Sequence, residues 1–115
     1  MTLRAYQKAQ AAGENPRSSE YRLFGQVTGA LIEAQRSGAK GRSLVEALDW
    51  NRRLWSTLAA DCLDEQNRLT RELRAQIVSL SIWVSKYSSQ VAQGASIDPL
   101  IDVNRTVMQG LKEAA

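Results

Sequence analysis

With 115 residues, 43% of them hydrophobic and 23% charged, the chain has the make-up of one globular domain able to bury a single core. It has no histidine and one cysteine, which removes His-based general catalysis, Ser-His-Asp and Cys-His arrangements, most zinc sites and any internal disulfide. The net charge of +3 is thinly spread: residues 1–42 carry seven Lys/Arg against three Asp/Glu, and no basic run exceeds Arg52-Arg53.

Residues 2–12 read as a short helix with Leu3, Tyr6 and Ala9 in one arc. Gly13-Glu14-Asn15-Pro16 stops it and starts a second, with Asn15 as N-cap and Pro16 at the first helical position, where its missing N–H costs nothing. The second helix runs to about Ser37, with Tyr21, Phe24, Thr28, Leu31 and Gln35 on one side and Leu23, Val27, Ala30 and Ala34 beside them. Gly38-Ala39-Lys40-Gly41 closes it, the glycines offering the left-handed conformation of helix ends. Ser43-Leu44-Val45-Glu46 has the pattern of a capping box and opens a central helix that reaches about Cys62.

This central helix carries the densest packing signal. Leu44, Leu48, Asn51, Trp55, Leu58 and Cys62 fall on one line, and Trp50 and Leu54 widen it to an apolar arc of roughly 160°. A stripe so wide predicts contact from at least two directions. Asp64-Glu65-Gln66-Asn67-Arg68 is a polar connection. The fourth helix spans about Thr70 to Gln93 along Leu73, Ile77, Leu80, Val84, Tyr87 and Val91, with Trp83 at the edge of the line. Gly94-Ala95-Ser96 breaks it, and Asp98-Pro99 repeats the cap-then-proline device before a last helix, about 99–113, that lines up Leu100, Asn104, Val107 and Leu111. No segment alternates at period two. The expected fold is therefore all-α: a single domain over 1–115, a compact bundle of four main helices plus a short N-terminal one.

No phosphate-binding loop and no calcium-loop pattern occurs, and Cys62 on the apolar line reads as a small buried hydrophobe. No enzyme activity and no cofactor are expected. Asn51 and Asn104 each interrupt an apolar arc, and each precedes an arginine. A buried amide must be bonded, so the plain reading is that they set helix register by bonding each other or a helix end. The functional reading is that they satisfy backbone groups of a partner. Arg52 and Arg53 follow Asp49 at pairing distance, which makes ordinary surface pairs; contact with an acidic partner is the sharper alternative. Val78 and Ile82, with Ala75 near them, form a second apolar strip outside the main line of the fourth helix. Such a strip must be covered by the first helix, another subunit or a client helix.

Ala5-Tyr6-Gln7-Lys8-Ala9, Asn15-Pro16-Arg17, Glu20-Tyr21-Arg22-Leu23-Phe24 and Val27-Thr28-Gly29-Ala30-Leu31-Ile32 resemble pieces of the FlaF family of flagellar biosynthesis regulators. So do Asp49-Trp50-Asn51-Arg52-Arg53-Leu54-Trp55, Leu73-Arg74-Ala75-Gln76-Ile77-Val78-Ser79-Leu80 and Asp102-Val103-Asn104-Arg105, in the family's order over nearly the whole chain. A departure is Thr70-Arg71, where the family pattern would open the fourth helix with proline. The resemblance implies a cytoplasmic, non-enzymatic protein that binds flagellin as a secretion chaperone, promotes filament assembly and acts with, and opposite to, the regulator FlbT. No catalytic, cofactor or metal residues come with it.

Flagellin termini are long amphipathic helices, and a small bundle with spare apolar strips could mask one. The expected partner-binding residues are Trp50, Asn51, Arg53, Leu54, Val78, Ile82 and Trp83, around a groove bordered by the second and fourth helices or by the Trp50–Leu54 edge. Direct nucleic-acid binding is not expected from so dispersed a charge. The alternative is an RNA-binding regulator of flagellin translation using Arg17, Arg22, Arg36, Lys40 and Arg42. The uncharged stretches are too short and serine-rich to span a bilayer, the start has no apolar core of export-signal type, and a lone cysteine fits a reducing compartment. These point to the cytoplasm and to no membrane contact.

Overall fold

The apolar lines of the sequence wind into four α-helices: α1 (Pro16–Ser37), α2 (Gly41–Cys62), α3 (Arg71–Ala92) and α4 (Asp98–Ala114). The structure, a computed structural model, describes residues 16–114, and among these there is no strand. The short helix expected over 2–12 lies outside the described residues. Each helix packs on the next and α4 closes back on α1, so that α1 and α3 occupy opposite corners of the bundle. Neighbours run antiparallel. Asn104 of α4 bonds Thr28 of α1, and Asp98 at the start of α4 takes a hydrogen bond from Gln35 near the end of α1. Arg52 of α2 meets Ser85 and Ser89 of α3, while Arg74 near the start of α3 reaches the end of α2.

The core lies where the four stripes converge: Phe24, Leu31, Leu54, Ile77, Val84 and Leu100 are all at most 1% exposed. Trp55 stands edge-on to Phe24, with ring centroids 5.5 Å apart and planes at 89°, the arrangement the ring quadrupoles favour. The wide arc of the central helix is accounted for by its two neighbours. Leu48, Asn51, Leu54, Trp55, Leu58 and Cys62 are buried, and Leu44 and Trp50 half-buried.

Helix ends follow local chemistry, with two departures from expectation. Gly38, at φ 67°, closes α1 in a Schellman motif: Ala39 N–H donates to Ala34 O at 2.9 Å and Gly38 N–H to Gln35 O at 3.2 Å. The capping box at Ser43 does not form. α2 begins at Gly41 behind Lys40, which makes no side-chain cap bond, so Ser43 falls inside the first turn, and Glu46 turns to Arg42 at 3.3 Å. Asp98 is likewise already within α4. Its N–H donates to Ser96 Oγ at 3.2 Å, and its carboxylate serves α1 through Gln35. Thr70, standing where proline was expected, accepts the Leu73 N–H at 3.2 Å and caps α3 by that means.

The connection from α2 to α3 is built by its polar residues. Asp64 Oδ1 accepts Gln66 N–H and Asn67 Oδ1 accepts Leu69 N–H, each at 2.9 Å. Arg74 then clamps the end of α2, donating through Nε to Cys62 O at 2.7 Å and through Nη2 to Asp64 O at 3.0 Å. Within this turn Asp61 is half-buried; desolvation, with Asp64 adding like charge, raises its carboxyl above the ordinary 3.8.

A raised folded-state value means that the folded chain binds the proton more readily than the unfolded one, so stability falls as pH rises through that window. Asp61→Asn should therefore be more stable than the parent at neutral pH in urea denaturation, and the difference should shrink as pH falls toward 3.8. Equal stability at neutral pH would contradict this.

Candidate functional site

Trp55 and the two core asparagines form one buried chain of hydrogen bonds. The indole N–H can only donate, and it donates to Asn104 Oδ1 at 2.8 Å. That fixes the Asn104 amide, whose Nδ2 then donates to Asn51 Oδ1 at 2.8 Å and to Thr28 Oγ1 at 3.1 Å. Thr28, having accepted, points its hydroxyl at Met108 Sδ 3.8 Å away. The chain joins α1, α2 and α4, and both asparagines are fully buried. Asn51 presents its oxygen to Asn104, and its Nδ2 is left without a hydrogen-bond partner.

The residues expected to bind a partner are therefore not brought together on one surface. Asn51 and Leu54 are inside the core. Trp50 is half-buried on a shallow depression of 350 Å³ at the α1–α2 corner, walled by Ala30, Ala34, Ala39 and Ala47. Arg53 is exposed, with Nη2 3.7 Å from Asp49 Oδ2. Val78 packs half-buried against the core, and Ile82, 55% exposed, lies one turn from Ser85, whose carbonyl accepts from Arg52 of α2. Trp83 lies on the α4 side of α3: it stacks on Tyr87 at 5.0 Å, and the Tyr87 hydroxyl donates to Ser96 O at 2.7 Å. Among the described residues α1 and α3 sit at opposite corners, so the second and fourth predicted helices are not neighbours bordering a common groove.

A cleft occurs instead along the seam of α3 and α4, the most loosely packed pair of neighbours. It measures 560 Å³, and α3 supplies a mostly apolar wall of Leu73, Ile77 and Leu80. From α4 come Val107 and Gly110 on the floor side and Arg105 and Glu113 as charged groups. A Cβ placed on Gly110 would stand 3.9 Å from Leu73 Cδ1, an ordinary van der Waals contact, so the cleft has room for a methyl group there. The α3 wall runs from Leu73 to Leu80, about 10 Å along the helix axis. The sequence signalled this cleft only weakly. Gly110 and Thr106 on the α4 wall are small, and Leu73 and Leu80 look like ordinary core positions until the helices are seen to splay.

Chemically the cleft offers apolar surface and a few charges. Among the described residues no group of three or more His, Cys, Asp or Glu could hold a metal ion, and no described helix is long and apolar enough to cross a membrane. The family model for flagellar protein FlaF matches residues 2–111. The chain belongs to the FlaF family. The match takes in all of α1 to α3 and most of α4, including the buried network and all of the cleft lining except Glu113. No curated protein and no solved structure matches the chain significantly.

Removing the Asn104 side chain strands the indole N–H of Trp55 and the oxygen of Asn51 in the core. Asn104→Ala should cost about 3 kcal/mol of unfolding free energy, read by urea denaturation. A loss below about 0.5 kcal/mol would contradict a shared network.

Proposed function

We propose that this FlaF-family chain is a non-enzymatic, cytoplasmic chaperone that binds a helical terminal segment of flagellin, and that the segment lies in the α3–α4 cleft. The observation that carries this reading is the apolar wall of Leu73, Ile77 and Leu80 in a chain of a flagellar family. An amphipathic helix buries its apolar stripe against such a wall at i, i+3, i+4 and i+7 positions. Holding flagellin in this way keeps it from polymerising before export and links its supply to translation, in concert with FlbT.

The RNA-binding alternative has less support. Of the basic residues that reading would use, Arg36 lies 2.7 Å from Glu33 and Arg42 3.3 Å from Glu46, so part of the positive charge is already balanced. Phosphate binding would also lose affinity steeply with added salt, whereas apolar burial is nearly indifferent to it.

Titration with monomeric flagellin, and separately with flagellin messenger RNA, should show salt-tolerant binding of the protein ligand and none of the RNA. Leu73→Glu and Leu80→Glu, folded as judged by circular dichroism, should each weaken flagellin binding about tenfold. Unchanged affinity in both variants would remove the cleft from the account. Salt-sensitive binding of RNA alone would overturn the chaperone.

A further inference from the structure

The Asp102-Val103-Asn104-Arg105 stretch is only half used by the fold. Asn104 is consumed by the buried network, but Arg105, the next residue, is exposed on the cleft and makes no ion pair or hydrogen bond within the described chain. Arg36, Arg42, Arg52, Arg53 and Arg74 all have such partners. Two turns further along α4, Glu113 lines the same cleft and takes only a neutral hydrogen bond, from Gln109 Nε2 at 3.0 Å.

The charges of the cleft lining thus come from one wall. α3 contributes the neutral groups Leu73, Gln76, Ile77 and Leu80, and α4 contributes one cation and one anion, eight residues and about 12 Å apart along its axis. A helix laid in the cleft with its apolar stripe against α3 turns one flank toward α4. That flank meets a positive group toward the Leu80 end of the cleft and a negative one at the Leu73 end.

We propose that Arg105 is a specificity-determining residue that pairs with an Asp or Glu side chain of the client helix, and that Glu113 pairs with a Lys or Arg two turns away on the same flank. The inference rests on the cleft being the client site. The client it describes is an amphipathic helix whose acidic and basic residues are about two turns apart beside its apolar stripe. The pairing sets which flank, and which chain direction, is accepted, because the reversed helix would bring like charges together. An arginine suits this role: its guanidinium stays charged and can bind a carboxylate through two N–H groups.

The test compares full-length parent, Arg105→Ala, Arg105→Glu and Leu80→Glu in titrations with monomeric flagellin at about 0.1 M and about 1 M salt, where the screening length falls from about 10 Å to about 3 Å. Arg105→Ala should bind about fivefold more weakly than the parent at the lower salt, Arg105→Glu more weakly still, and both should approach the parent at the higher salt. If Leu80→Glu weakens binding while both Arg105 variants match the parent at low salt, the cleft stands and this pairing is overturned. A deficit of Arg105→Ala that persists unchanged at high salt also overturns it, since an ion pair at an open cleft must be screened. If Leu80→Glu has no effect, or the parent itself does not bind flagellin, the client-site reading has failed, and the pairing with it.

Discussion

The hydrogen bond from Trp55 to Asn104 is the constraint on which the rest of the bundle depends. A buried indole N–H needs an acceptor, and the only one brought to it is an amide on the last helix. Once that bond fixes the amide, the other bonds follow, to Asn51 on α2 and Thr28 on α1. An all-apolar core of these sizes could slide by a turn with little change in buried area. Polar groups that must meet at 2.8 to 3.1 Å remove that freedom, at the cost of an unpartnered Asn51 Nδ2.

The network also decides where the bundle is open. It binds α4 to α1 and α2 and includes no residue of α3. α3 is held instead from its other side, by Arg52 on Ser85 and Ser89 and by Arg74 on the end of α2. Between α3 and α4 lie apolar contacts and, at one end, the bond from Tyr87 to Ser96. Of the four seams between neighbouring helices, this one is the most loosely packed. The bundle is thus bonded on three sides and open along the fourth. Membership of the FlaF family places the protein in flagellar biology.

Much of this was legible in the sequence, for reasons tied to particular residues. Helical periodicity gave all four described helices to within a few residues, and the line through Leu48, Asn51, Trp55, Leu58 and Cys62 proved to be the core face of α2. That the asparagines bond each other was one of the readings open to them. The capping box was misplaced because two glycines let the chain enter α2 early and because Arg42 competes for Glu46. Ser88 sits fully buried, which its residue type does not suggest, since its hydroxyl donates to Val84 O at 2.6 Å. The binding surface was the least legible part. Periodicity tells which residues leave solvent, but only the packing of whole helices tells which seam fails to close. Trp50, Arg53, Val78, Ile82 and Trp83 therefore stand on different faces of the bundle, and Leu73 and Leu80 read in the sequence as ordinary positions of an apolar line.

Hydrogen exchange of the full-length chain, alone and saturated with monomeric flagellin, tests the central claim most directly. Peptides covering Leu73–Trp83 of α3 and Val103–Glu113 of α4 should become slower to exchange in the complex, with α1 and the first turns of α2 unchanged. Protection confined to α1 and α2, around Trp50, would contradict the account and move the binding surface to the opposite side of the bundle.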